Sequence, residues 1–157
     1  MPAASSMKRS VQPVPKGMHT VNSYLTVEGV PRLIEFLKQG LDAQSVGPVH
    51  SAPDGRIMHA EVKIGDTIVM LGEPVGTWKP RPCNLYLYVK DVDAVYHKAI
   101  QAGGKPLDEP KDQFYGDRSG GVEDPSGNWW WIATHIEDVS EEEMGRRMEA
   151  AMKPHSA

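Results

Sequence analysis

Cysteine is nearly absent: Cys83 stands alone among 157 residues. No intramolecular disulfide can form, and the chain suits a reducing cytoplasm. A single cysteine is ordinarily a small buried apolar side chain, so no chemistry is assigned to it. Positive charge is also short. Seventeen Lys plus Arg against twenty-one Asp plus Glu leave a net charge of −4 with no basic cluster, and the electrostatic footprint of a nucleic-acid partner is missing. The longest apolar runs, such as Ile68 to Leu71, fall far below the roughly 18 residues a spanning helix needs. The first seventeen residues hold no apolar signal segment. Membrane insertion and secretion are therefore not expected. Nucleophile elbows, phosphate-cradling glycine loops and Cys-x-x-Cys pairs are absent too, which removes support for hydrolase, nucleotide-binding and redox readings.

What the chain does contain is a repeat. Asn22-Ser-Tyr24-Leu25-Thr-Val27-Glu-Gly-Val30 returns at an offset of 62 residues as Asn84-Leu-Tyr86-Leu87-Tyr-Val89-Lys-Asp-Val92, identical at five of nine positions. Gln39 matches Gln101, and Gly65-Asp66 matches Gly127-Asn128, at the same offset. Three windows in one register point to one module written twice, with equivalent residues at symmetry-related points of a shared site.

The local patterns agree. Residues 1–17, rich in Ser, Ala and Pro, read as a flexible tail. Thr20 to Val27 is β-branched and aromatic and predicts a strand. Pro31 then fits a first helical position, and Val30, Leu33, Ile34, Leu37 and Leu41 follow helical spacing. An extended stretch from Ala43, turns at Pro53-Asp54-Gly55 and Gly65-Asp66, and strands from Ile57 to Ile64 and Thr67 to Leu71 complete a βαβββ module over 18–72. Pro74, Gly76, Pro80 and Pro82 make 73–82 a stiff linker.

The second module, 83–137, starts with a strand from Leu85 to Val89. Asp91 caps a helix that Gly103-Gly104 stops. Extended segments follow on either side of Asp117-Arg118, then the turn Asp124-Pro125-Ser126-Gly127 and a strand from Trp129 to Thr134. Asp117 and Arg118, between Gly116 and Ser119-Gly120-Gly121, read as a bend held by an ion pair. Within 138–157, Ser140 and Glu143 form a capping box for a final helix whose Met144, Met148 and Ala151 are expected to pack on the body of the protein. The fold class is α+β: two tandem βαβββ modules forming a curved mixed sheet with a cleft, plus a C-terminal helix.

Two such units closed by Asp124-Pro-Ser-Gly-Asn128 resemble the vicinal oxygen chelate superfamily of glyoxalase, bleomycin-resistance and extradiol dioxygenase proteins over residues 18–137. His59-Ala-Glu61, Gly65-Asp66, Met70-Leu71, Val89-Lys-Asp91-Val92-Asp93-Ala94 and Gly116-Asp117-Arg118 are similar to its PhnB-like or bleomycin-resistance-like branch. The resemblance implies a barrel-like cleft, a homodimer and, in metal-containing members, four inward ligands. Those positions fall here on Asn22, Asn84, Met70 and Trp131. Two amides, a thioether and an indole supply no anionic donor to a divalent cation, so no metal and no cofactor are expected.

Strand alternation places Trp129 with Trp131, Tyr86 and Tyr88 with Asn84, and Tyr24 with Asn22. These aromatic residues, the two amides and Met70 predict a pocket for a planar or amphipathic small molecule, in a protein that sequesters its ligand. Trp130 faces the opposite way, into the core. The rival site is His59 with Glu61, two apart on one strand face, where both residue types can ligate metal or exchange protons. It would support a metal-dependent lyase, epimerase or dioxygenase. His19, His50 and His135 lie near strand ends and His97 on a helix face, so none offers a third ligand.

Overall fold

In the computed structural model, which describes residues 10–154, a left-handed glycine turns the first strand into the first helix. Gly29 (φ 74°) links β1 (Tyr24–Thr26) to α1 (Val30–Leu41), and its carbonyl accepts from the Leu33 amide at 3.1 Å. Pro31 occupies the first turn, where its missing N–H costs nothing. β1 is shorter than the Thr20–Val27 stretch the sequence predicts. The Asn22 side chain accepts from His19 N at 3.0 Å and donates to His19 O at 2.6 Å, drawing the preceding residues into a turn. Residues 1–9, most of the expected flexible tail, lie outside the described residues.

The first module continues as β2 (Gln44–Ser51), β3 (Ile57–Ile64) and β4 (Thr67–Gly72). The second repeats it as β5 (Asn84–Tyr88), α2 (Val92–Gln101), β6 (Lys105–Asp112), β7 (Asp117–Glu123) and β8 (Trp129–His135), and α3 (Glu141–Met152) follows. Each module builds one four-stranded mixed sheet, in the orders β1-β4-β3-β2 and β5-β8-β7-β6. The first strand of each module runs parallel to the fourth, and the other neighbours are antiparallel. The architecture is the α+β pair of βαβββ units that the repeat predicts.

The repeat offset slips by one along the chain. Tyr24 pairs with Met70 and Tyr86 with Trp131, so equivalent positions are 62 apart in the first strands and 61 apart in the last. The second module is two residues shorter between its first and third strands, Glu61 and Gly121 being 60 apart, and its longer hairpin at 124–128 restores one of them.

One apolar core underlies both sheets. Leu25, Val62, Val69 and Leu71 line the back of the first sheet and Val122, Trp130 and Ile132 the back of the second, with Leu33, Phe36, Leu37, Val92, Tyr96 and Ala99 supplied by the helices between. α1 and α2 touch at Gly40, where an added Cβ would lie 3.1 Å from the Ala99 Cα, so a side chain here would have to push the helices slightly apart. The helices occupy the backs of both sheets, and the opposite faces are left uncovered.

The Asp124-to-Asn128 loop is a buried polar knot. The two Asp124 carboxylate oxygens accept from the amides of Ser126 and Asn128, from the Asn128 side chain and from the Trp130 indole, at 2.8–3.0 Å. Asn128 Oδ1 accepts from the Cys83 amide at 3.0 Å, tying the start of β5 to this loop. The loop thus fixes the register of β5 against β8.

α3 departs from expectation. None of its residues is fully buried: Met144 is half-buried, but Met148, 46% exposed, and Ala151 are open, so most of the stripe does not pack on the body of the protein. The helix is held instead by Arg147, which donates to Glu137, Glu143 and the Phe114 carbonyl. The Ser140 hydroxyl accepts from the Glu143 amide as a cap, while the Glu143 carboxylate is occupied by Arg146 and Arg147 and leaves the box one-sided. No helix among the described residues is long and apolar enough to cross a membrane.

Candidate functional site

On the uncovered face of the second sheet, strand alternation collects Asn84, Tyr86 and Tyr88 from β5, Trp129, Trp131 and His135 from β8, and Asp117, Ser119, Gly121 and Glu123 from β7. Trp131 pairs with Tyr86 on one side and Gly121 on the other. An added Cβ on Gly121 would lie 2.4 Å from the six-membered ring of Trp131, while the indole N–H reaches back to Asn84 Oδ1 at 3.2 Å. The ring therefore lies flat across three strands. Trp129 stands perpendicular to it, ring centroids 6.4 Å apart, with its N–H donating to Glu123 at 3.1 Å. Trp130 points the other way and is buried, as alternation requires.

Tyr86 and Tyr88 lean together, centroids 5.2 Å apart, and both hydroxyls donate to Asp117 Oδ2, at 2.8 and 2.9 Å. The other carboxylate oxygen accepts from His135 Nδ1 at 2.8 Å, and His135 Nε2 reaches Asp138 at 2.7 Å. Asp117 is buried at 4% exposure. Burial alone would push its carboxyl up, but the hydrogen bonds from His135, Tyr86 and Tyr88 win and hold it below the usual value. His135 moves upward because Asp117, and then Asp138, accept from its ring. Desolvation, followed by the hydroxyl of Tyr115 and then by Asp117, pushes the Tyr86 phenol far above the ordinary range. The hydrogen bond to Asp117 is the leading cause that raises Tyr88. Asp117 is held as a carboxylate, the two phenols stay neutral and both His135 ring nitrogens are engaged by carboxylates, so the arrangement fixes rings in place without offering a free base.

Asp117 and Arg118 are a correction to the sequence reading. They are not a bend closed on itself but the first two residues of β7, the turn lying at 113–116. Being adjacent on a strand, they face opposite ways. Arg118 leaves through the back of the sheet to pair with Asp93 of α2 at 2.8 Å and with Asp112 at 3.1 Å. The contact between Asp117 and His135 is not anticipated by the sequence reading. Its signal was the two-residue period of Asp117, Ser119 and Gly121, hidden once the strand was broken at Asp117.

The other sequence-predicted residues lie on the first sheet. Tyr24 and Met70 are register partners, and Met70 is flanked by Glu61. The Tyr24 hydroxyl approaches His59 Nδ1 at 3.4 Å, and His59 Nε2 lies 3.4 Å from Glu61. These are long contacts. Asn22 lies before β1 with its side chain committed to His19. The expected set is therefore divided: Asn84, Tyr86, Tyr88, Trp129 and Trp131 come together on one sheet, and Tyr24, Met70, His59 and Glu61 on the other. Among the described residues, no hydrogen bond or ring contact joins the two groups, because each sheet is built wholly from its own module.

Among the described residues no three His, Cys, Asp or Glu side chains converge as a metal site requires. His59 and Glu61 lack a third partner, and both ring nitrogens of His135 are already bonded to carboxylates. A recess of about 490 Å³ opens beside Trp129, between Asn84 and Glu123. A larger one, of about 580 Å³, runs between the modules past Leu85, Leu87, Ile64 and Val69, behind the aromatic face.

Known proteins share this design. The family model described as Glyoxalase/Bleomycin resistance protein/Dioxygenase superfamily matches residues 17–132. An uncharacterized protein of Mycobacterium bovis is 31% identical over 143 residues, covering 82% of this chain and 91% of that protein. The crystal structure of TioX from Micromonospora sp. ML1 superposes with a TM-score of 0.63 at 21% identity, covering 74% of this chain and 99% of that one. TnmS3, an antibiotic-binding protein from Streptomyces sp. CB03234, superposes with a TM-score of 0.60 at 23% identity over 75% of this chain and 96% of its own.

Proposed function

This chain belongs to the Glyoxalase/Bleomycin resistance protein/Dioxygenase superfamily, and from that premise we propose that it is a metal-free small-molecule-binding protein of the bleomycin-resistance or PhnB-like type. It holds a planar or amphipathic ligand against the rings of Trp129, Trp131, Tyr86 and Tyr88, and binding itself is the function, since a stoichiometric binder removes a toxic compound without transforming it. TnmS3, of the same fold, is an antibiotic-binding protein.

One observation carries the reading. Every polar handle of the four rings is bonded to the protein, to Asp117, Glu123 or Asn84, so that ring faces are what the sheet presents to a guest. Covering about 200 Å² of ligand apolar surface there contributes roughly 5 kcal/mol at about 25 cal/mol per Å², before the cost of association. Donor chemistry supports the metal-free part: the positions at which the family resemblance implies metal ligands carry Asn22, Met70, Asn84 and Trp131, none of them an imidazole, carboxylate or thiolate. A homodimer would give each aromatic face a second wall, the Tyr24 and Met70 face being a suitable one.

Metal analysis tests this directly. Protein purified without chelator is expected to carry far less than one equivalent of Zn, Ni, Mn or Fe per chain. A stoichiometric metal would reject the reading in favour of an enzyme centred on His59 and Glu61.

A further inference from the structure

Three of the four rings are held by charged acceptors, Trp131 alone by the neutral Asn84 amide, and this determines what the face attracts. Tyr86 and Tyr88 both donate to the Asp117 carboxylate, and Trp129 donates to the Glu123 carboxylate. A phenol or indole whose proton is shared with an anion is richer in π-electrons than a free one, and the negative lobe of its quadrupole lies over the ring face. Those faces are open: Tyr86, Tyr88 and Trp129 are 46%, 62% and 42% exposed. Trp131, flat over Gly121, makes a floor, and Trp129 at 90° to it makes a wall.

Formal charge acts in the same direction. The groups of this face are the carboxylates of Asp117, Glu123 and Asp138 against Lys105, opposite Glu123 in the strand register, and the His135 imidazole, bonded between two of those carboxylates; Asp108 and Lys111, opposite Gly121 and Ser119, pair with each other, so carboxylates are in surplus even with His135 protonated. An anionic guest would meet a surplus of negative charge. A neutral guest would gain contact area alone.

We infer that the aromatic face selects organic cations, a ring or alkyl group bearing a quaternary ammonium or an aromatic iminium nitrogen, with the positive centre seated between Trp131 and Trp129 near Glu123. The inference rests on the proposed aromatic binding and adds the charge class of the ligand. Cation–π attraction falls away if the charge is removed while shape is kept, whereas burial of apolar surface does not.

Two bicyclic probes of matched shape separate these terms: 1-methylquinolinium, which is charged, and 1-methylnaphthalene, which is not. Each is titrated into the full chain while the indole N–H signals are followed by ¹H–¹⁵N NMR. The cation is expected to bind about tenfold more tightly, to shift the Trp129 and Trp131 signals, and to keep its advantage in about 0.5 M NaCl, where attraction to net charge at a distance is screened. Equal affinities, or an advantage lost in salt, overturn the inference and leave aromatic binding standing. Failure of both probes to bind overturns the inference together with the reading beneath it.

Discussion

Gly121 and Trp131 are cross-strand partners, and the indole occupies the space a side chain on Gly121 would fill, 2.4 Å from an added Cβ. A glycine on β7 thus determines how an aromatic ring lies on β8. Gly121→Ala is expected to lift Trp131 off the sheet at a cost of about 1–3 kcal/mol in stability, the usual range for overpacking. Its indole N–H signal should move as the hydrogen bond to Asn84 breaks, and affinity for a planar probe should fall. An unchanged indole signal would show that the ring is not held in this way.

His135 should titrate late. Asp117 and Asp138 raise its value above the ordinary 6.5, so the bonds of its protonated ring contribute fully below that pH, and the contribution is lost as pH rises through the folded value. Asp117 has the opposite sign: its value is lowered, so its contribution is present above the ordinary 3.8 and is lost as pH falls through the folded value. The two contributions coexist between about pH 4 and 6.5. Following the His135 ring protons by NMR should give a midpoint above 6.5 in the wild type and a lower one in Asp117→Asn. The same midpoint in both proteins would contradict the assignment.

Removing the Asp124 carboxylate should be severe. Asp124→Ala takes acceptors from two amides, a carboxamide and the buried Trp130 indole. Leaving buried donors unpaired costs about 1–3 kcal/mol each when no water replaces the partner, so a loss of at least ~3 kcal/mol is expected in urea unfolding. Asp124→Asn, which keeps one oxygen acceptor, should lose less.

α3 should come away without unfolding the rest. It buries no residue and depends on Arg147 and its partners Glu137, Glu143 and Phe114. Arg147→Ala is expected to speed amide exchange across Glu141–Met152 while the midpoint of thermal unfolding changes little, because exposed ion pairs contribute little to global stability. High salt should mimic the substitution in part.

The repeat made the fold legible, since a strand and helix that recur in order leave few topologies open, and the alternation at Trp129, Trp130 and Trp131 separated the open face from the core. Side-chain destinations were less legible. Asn22 and Asn84 are equivalent in sequence, yet one folds back on His19 and the other bonds Trp131, because the first strand begins two residues late. Asp117 looked like a turn residue among glycines. Those glycines mark a strand whose open face is covered by aromatic rings from its neighbour, and only the register of β7 against β8 brings Asp117 to His135. The methionine spacing of α3 gave a correct helix but not its contacts, since an apolar stripe does not say what covers it.

The proposed function places the ligand on ring faces and on no metal ion. Calorimetric titration of 1-methylnaphthalene into wild-type protein and Trp131→Ala, each with and without EDTA, tests it most directly. EDTA is expected to leave wild-type affinity unchanged, and Trp131→Ala to lower it at least tenfold. Binding abolished by EDTA, or equal affinity in the two proteins, would contradict it.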